Sequence, residues 1–511
     1  MKYPRLFIFA LSALCAASLW AQDEQLFAGR DIMGTARYTA MAGAMASVGA
    51  DPSAVLDNPA GLGLYKRMEI SLSMQEEWCR NRHVGESSRG ADVFSLPQVS
   101  LVFSLENRNE TGGLRFNNFM FSFNRIKSFS RSTLVHGFNQ PSISNLMLDQ
   151  VTNPMLPESE LSASGYNSPN TGWLSELGYK GYMIDPYFEY YPTDNPDIFD
   201  TVQTAWSYSI ADTSGHVPQT ALKLSESGYV DEYTLAWGAN INHHWYVGAG
   251  LNIRSLYYTK SATYEEAFPV EEGENYTDYA QINSYVRQTG VGISGSLGLI
   301  YQPCRYLRVG ASFQTPTAMK VSTTTHADII LDDAHRFEEI YKASTERFAG
   351  TGRFTQPLRF TLGATGILGG GGPVCGLVSF QYDYRHRKDL QDVHTFRVGG
   401  ELVLINNLFI NAGYAFESTF SKADRIYTLA RNDVRVDADF VSPGVRHFVG
   451  AGVGYRGNHF IAQLGYQYCL HNYNQYVFAP IDTQQTSIPD PFDMRNQTHR
   501  IVLTLAWHTK R

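Results

Sequence analysis

The chain has 511 residues, among them 31 Tyr, 29 Phe and 44 Gly, with a formal charge of −8 that becomes −10 once Lys2 and Arg5 are removed with an N-terminal leader. That acidity excludes a nucleic-acid partner, which needs a basic face. After the leader no run of about 18 apolar residues exists, so no helix spans a membrane. The slightly negative mean hydropathy is compatible with a membrane barrel, because half of each strand faces a polar lumen.

Residues 1–21 read as a signal peptide: a charged start, an apolar run from Leu6 to Ala17 and small residues before Gln22. Leu14 before Cys15 does not fit a lipoprotein signal. Residues 22–65 carry no strand pattern. They are rich in Ala, Gly and Ser, which suit tight packing in a confined space, and Asn58-Pro59 followed by Gly61 and Gly63 makes a rigid turn that lets the chain bend into a first strand. This predicts an N-terminal plug, or hatch, folded into a barrel lumen.

From residue 66 to 511 period-two alternation dominates. It predicts fourteen strands, at about 66–78, 95–106, 115–127, 231–242, 244–262, 281–302, 305–322, 355–368, 373–388, 394–404, 408–420, 446–456, 458–474 and 496–508. Short links (106–114, Asn242-His243, Pro303-Cys304, 369–372, 405–407, Gly457) alternate with long ones (79–94, 128–230, 263–280, 323–354, 421–445, 475–495), the link 389–393 excepted. Short periplasmic turns and long external loops are the pattern of an up-and-down outer-membrane barrel. The expected fold is all-β, a 14-stranded antiparallel transmembrane β-barrel in a Gram-negative outer membrane, with a long external loop at 128–230.

The faces sort accordingly. Leu358, Phe360, Leu362 and Ala364 are expected to face lipid and Arg359, Thr361 and Thr365 the lumen. Val378, Phe380, Tyr382 and Tyr384 oppose Gln381, Asp383 and Arg385. Phe396, Val398, Leu402 and Leu404 oppose Arg397 and Glu401. Trp245, Tyr246, Tyr257, Tyr258 and Tyr301 are expected in an aromatic girdle. In the long loop, Tyr182, Met183, Tyr187, Phe188, Tyr190 and Tyr191 could form a capture surface for a lipid-like ligand, or pack the loop on its neighbours.

Cys79, Cys304, Cys375 and Cys469 lack metal-ligand spacing, His243 and His244 fall in a turn, and "GILGGGGP" lacks the lysine and helix of a phosphate loop. No catalytic arrangement of Ser, His, Asp or Cys is recognisable. Neither a metal, a cofactor nor an enzyme activity is expected, and the inward charges read as a structural network.

"MGTARYTAMAGAMASVGADPSAVLDNPAGL" resembles the hatch of the FadL/TodX family of outer-membrane transporters for long-chain fatty acids and other hydrophobic compounds, and "FRVGGELVLINNLFINAGYAF" and "VSPGVRHFVGAGVGYRGNHFIAQLGYQY" are similar to its late strands. The resemblance implies passive transport by loop capture, an apolar pocket in the barrel, and hatch-gated lateral release beside the third strand. Asn58, Pro59, Ala60 and Gly61 are then the gating residues. The chain departs from the family in continuing past Trp507 and in the length of the 128–230 loop. Two other roles fit the same barrel: a binding or assembly partner in a type IX secretion-like system, with a protein docked on the long loop, and a haem receptor.

Overall fold

The structure, a computed structural model, describes residues 27 and 29–509 except 84–85, 91, 108–112, 138–140, 153–154, 164, 167–170, 193–198, 209–218, 269–277, 333–339, 370–374, 387–391, 405–406, 420–435 and 479–488. The leader and residues 22–26 lie outside that set.

Fourteen antiparallel strands close into a barrel. They are β1 (Glu69–His83), β2 (Val93–Glu106), β3 (Leu114–Phe129, resumed at Ser132–Gly137), β4 (Gln219–Ile241), β5 (Trp245–Phe268), β6 (Asp278–Cys304) and β7 (Leu307–Gln314, resumed at Thr317–Asp332). Then follow β8 (Phe348–Gln356, resumed at Leu358–Leu368), β9 (Cys375–His386), β10 (Val393–Val403), β11 (Leu408–Glu417), β12 (Phe440–Arg456), β13 (Phe460–Tyr476) and β14 (Phe492–His508). Closure is by β1 on β14, in register from Glu69↔His508 to Arg82↔Arg495. Every strand expected from periodicity is present. The β4–β5 link is a three-residue hairpin, 242–244, with positive φ at Asn242 and His243, 53° and 58°, and the His244 N–H donating to the Ile241 carbonyl at 3.1 Å; positive φ at both central residues is the geometry that matches the strands' right-handed twist.

The strands differ from expectation mainly at their external ends. β4 begins at Gln219 rather than 231, and β12 at Phe440 rather than 446. These extensions lengthen the wall and pack inward on helices of the 128–230 segment. Helices α1 (Ile143–Thr152), α2 (Glu158–Ala163) and α3 (Trp173–Lys180), with a hairpin of Ile184–Pro192 on Phe199–Tyr208, form a cap there. Its core (Leu146, Met147, Leu174, Leu177, Trp206) is continuous with inward side chains at the strand tips, such as Leu222, Tyr264, Ile329 and Phe492.

On the outer wall the sorting follows the strand period. Phe360, Leu362, Phe380, Phe396 and Val398 are exposed, while Arg359, Asp383, Arg397 and Glu401 are buried in the lumen. On β6 the outward row from Tyr301 to Val291 is apolar. At about 3.3 Å per residue and a ~40° tilt it covers ~25 Å, the height of a membrane band. The girdle expectation needs correction. Trp245 and Tyr301 stack on the outside, with centroids 4.2 Å apart, but Tyr246 and Tyr258 are buried toward the lumen. Successive strand residues point to opposite faces, so only one of each neighbouring pair can reach lipid.

Candidate functional site

Residues 29–65 lie inside the barrel and are almost entirely buried. They contain a short helix, Ala36–Ala40, and two 3₁₀ turns, Ala54–Leu56 and Pro59–Leu64. Asn58 caps the second turn: its side-chain oxygen accepts from the Ala60 N–H at 3.0 Å, and its amide donates to the Ala46 carbonyl at 2.8 Å and, across to the wall, the Leu299 carbonyl at 3.3 Å. Pro59 occupies the first turn, where its missing N–H costs nothing. Gly61 accepts from the Ala50 N–H at 3.1 Å, and its Cα lies so close to Gly49, which has φ +64°, that an added Cβ there would meet it at 3.0 Å. Asn58, Pro59, Ala60 and Gly61 are therefore brought together, all buried, where the inner segment abuts β5 and β6.

The wall is shaped for this segment. A Cβ added at Gly310, Gly399, Gly450 or Gly465, on four different strands, would lie 2.9, 2.7, 2.5 and 2.7 Å from the carbonyl oxygens of Ala46, Met41, Ala40 and Ala36. Backbone meets backbone, so neither side can yield. Gly450→Val is expected to overpack the seat by about 1–3 kcal/mol. The check is trypsin accessibility of Arg37: cleavage as slow as in the wild type contradicts a close-fitting seat.

Charges anchor the segment to the wall. Asp57, with no exposed side-chain surface, faces Arg30 at 3.0 Å, Arg359 at 2.8 Å and Arg397 at 3.2 Å, and accepts from the Tyr38 hydroxyl at 2.7 Å. Asp383 on β9 bridges the same two wall arginines. Arg37 meets Glu401 at 2.6 Å. Burial would raise the Asp57 carboxyl, but the guanidiniums of Arg359, Arg30 and Arg397 outweigh it and hold it well below the usual carboxylate range. Asp51 behaves oppositely: burial raises it, and Arg37 offsets that only in part. The inward charges read from the strands thus form a latch between wall and inner segment.

Higher up, Asp31 is held by Arg446 and, at 2.7 Å, by Arg500, which also meets Glu77 at 2.6 Å. These groups border a cavity of about 190 Å³. The lining mixes apolar and charged side chains. Lys127, Arg131, Lys260, Arg446 and Arg500 line the cavity with Asp31, Glu77 and Glu226, beside Phe129, Tyr258 and Val441. Asp437 and Asp439 reach Lys260 from the side, both at 2.8 Å.

The cavity backs onto a seam. β2 and β3 pair only from Glu106↔Phe116 to Gln98↔Asn124. Beyond that point Val93–Ser95 pair with β1 and Lys127–Phe129 with β4. Pro97, which has no N–H for a ladder, sits at the break. Higher still, Gly90 closes onto Ser130 so tightly that an added Cβ would overlap the Ser130 carbonyl. Facing β4, β3 has an irregularity between Arg125 and Lys127, and the carbonyl of the bulged Ile126 accepts the Asp31 N–H at 2.8 Å. The inner segment is therefore tied to β3 beside the seam.

On the cap, Tyr182, Tyr187, Tyr190 and Tyr191 are exposed and Phe188 half-buried. Met183 is fully buried in the cap core, so it belongs to packing rather than to an exposed surface. Tyr182 rests on Tyr341, with centroids 4.5 Å apart. Glu266, wholly buried, accepts from the Ile143 N–H at 2.6 Å, the Ser142 hydroxyl at 2.8 Å and the Tyr264 hydroxyl at 2.6 Å, fixing the start of α1. Glu266→Gln is expected to weaken the cap by about 1–3 kcal/mol. Limited proteolysis should cut faster within 143–180 while the strands stay resistant, and unchanged cutting would refute this role. His243 and His244 lie in the β4–β5 turn, each with a local partner, Asn240 and the Asn242 carbonyl.

No family model matches the chain, and no curated protein matches it. Among solved structures it is similar to a Pseudomonas aeruginosa FadL homologue, with TM-score 0.49, 13% identity, and 93% of this chain and 98% of that chain covered. It is also similar to the P. putida toluene transporter TodX (TM-score 0.48, 13% identity, 94% and 100% covered) and to the CymD monoaromatic hydrocarbon channel (0.43, 10%, 93% and 98%). At these identities the likeness is one of fold.

Sequence reasoning missed Asp31, Asp57, the wall glycines and the charge-lined cavity. The glycines had a signal: "AGVGY" places Gly452 and Gly454 on one strand face, where a wall without side chains needs an occupant.

Proposed function

We infer that this chain is an outer-membrane channel for hydrophobic small molecules bearing an acidic head, with long-chain fatty acids the class that fits best. The observation that carries this is the cavity, lined by five lysine and arginine side chains and their carboxylate partners, set directly behind the β2–β3 seam. A carboxylate would exchange into the arginine and lysine network, and an acyl tail would leave through the seam past Phe94 and Leu96, both exposed on the outer wall. Such a lateral path spares the tail from water, where each CH₂ costs about 0.8 kcal/mol. The exposed tyrosines at 182, 187, 190 and 191, with Phe188, serve as the capture surface. Release follows when the inner segment shifts: the Asn58–Gly61 turn moves at one end and the Asp31–Ile126 link parts at the other. The residues around the lumen bind and orient a ligand, and no reaction step is assigned to them.

Native mass spectrometry of detergent-purified protein, followed by titration with a labelled long-chain fatty acid and its methyl ester, tests the reading. Saturable binding of the acid with weaker binding of the ester supports it. Equal binding of both, or of neither, refutes the acidic head.

One observation favours a second reading. Tyr187, Tyr190 and Tyr191 stand on a hairpin outside the cap core, a surface suited to a protein partner. An empty barrel that ignores fatty acids but holds such a partner would favour assembly over transport.

A further inference from the structure

The outer wall carries a basic patch that transport does not use. On β6 the apolar outward row ends at Val291, and Arg287 follows two outward positions higher. Arg287 lies opposite Thr324, and Val291 opposite Lys320, which in turn lies opposite Arg353 on β8. Arg347 stands at the external start of the same strand. Arg287, Lys320, Arg347 and Arg353 are all exposed, and none makes an ion pair among the described residues. Asp328 and Glu346 lie farther out along these strands, and Asp328 already accepts from the Asn283 amide at 2.8 Å.

The patch is more than scattered charge. Arg287 and Arg347 border a groove of about 400 Å³, flanked by Tyr285 and His326, whose rings are 5.1 Å apart, and floored by the hydroxyls of Ser322 and Thr324. The Arg287 guanidinium lies 5.5 Å from the Tyr257 ring, which holds it against the wall rather than out in solvent.

Depth identifies the occupant. The patch begins where the ~25 Å apolar band stops, at the external edge, the level of outer-leaflet headgroups. Cations at that level attract anionic lipid, and arginine forks with neighbouring hydroxyls match phosphate oxygens. Below the patch, Val291 and Ile293 offer acyl chains an apolar wall.

We propose that Arg287, Lys320, Arg347 and Arg353, with the groove beside Tyr285 and His326, form a binding site for the phosphate-bearing headgroup of an outer-leaflet lipid. The site fixes the barrel's depth and rotation in the membrane and faces away from the seam.

The test uses the full chain in detergent, a bisphosphorylated acylated disaccharide and its dephosphorylated form, with retention counted by native mass spectrometry. Wild-type protein should retain the phosphorylated lipid, and the variant R287Q/K320Q/R347Q/R353Q should lose at least about tenfold in retention. The charge-keeping variant R287K/R347K/R353K should retain it, and both variants should show the heat-modifiable migration of a folded barrel. Equal retention by the glutamine variant, equal retention of the dephosphorylated lipid, or complete displacement by millimolar inorganic phosphate would each overturn the proposal, the last by showing a site for free anions.

Discussion

Deletion of residues 34–61 is expected to leave a folded barrel that leaks. Those residues carry the helix Ala36–Ala40, both 3₁₀ turns as far as Gly61, and Asp57. A fourteen-strand wall is too wide for its own side chains to fill, and here the wall is lined with glycine where the segment sits, so nothing takes its place. Permeability to small polar solutes in proteoliposomes should rise by about tenfold or more. Ladder pairing does not involve the deleted residues, so closure of β1 on β14 should survive, visible as unchanged heat-modifiable migration. A barrel as tight as the wild type would mean the cap alone seals it.

Asp57→Ala is expected to have the next largest effect. The carboxylate offsets three guanidiniums in a buried site. Its loss leaves Arg30 without that partner and Arg359 and Arg397 sharing Asp383 alone. Removing one member of a buried ionic cluster costs about 3–5 kcal/mol, and the cost falls on docking of the inner segment, since Asp57 ties it to Arg359 on β8 and Arg397 on β10. Asp57→Asn keeps the shape and the Tyr38 contact but not the charge, so it should leak nearly as much. An asparagine variant as tight as the wild type would assign the latch to shape instead. The pH dependence has a definite sign. A carboxyl held below its ordinary range in the folded state contributes stability above its unfolded pKa, and that stability is lost as pH falls through the lowered value. The latch should therefore persist through mild acid. Asp51, raised by burial, acts oppositely: its stability is present at low pH and fades as pH rises through its raised value.

How much of this was legible depended on the range of the interaction. β9 and β10 were readable because Phe380, Tyr382, Phe396 and Val398 alternate with Gln381, Asp383 and Arg397, and a misplaced charge in lipid is costly. The external extension of β4 was not, because its inward Thr220, Leu222 and Leu224 answer to the cap rather than to lipid. The inward charges could be placed on their face, but no spacing shows that Arg359 finds Asp57, 302 residues away. Met183 looked like its aromatic neighbours, and only packing separates the buried methionine from the exposed tyrosines. The turn at Asn58–Gly61 was readable because capping and φ restrictions are local. The seam was not, since it is an absence of pairing between two well-patterned strands, marked only by Pro97.

The most direct measurement locks the inner segment in place. A Cβ added at Gly363 would lie 3.3 Å from the Ala46 Cβ, close to the separation a disulfide spans. The pair Ala46→Cys and Gly363→Cys, in a chain whose Cys79, Cys304, Cys375 and Cys469 are changed to serine, would be oxidised in proteoliposomes and entry of a labelled fatty acid followed. Entry that stops on oxidation and returns on reduction is the predicted result. Entry at the same rate in the locked barrel would contradict movement of the inner segment as the step that opens the channel.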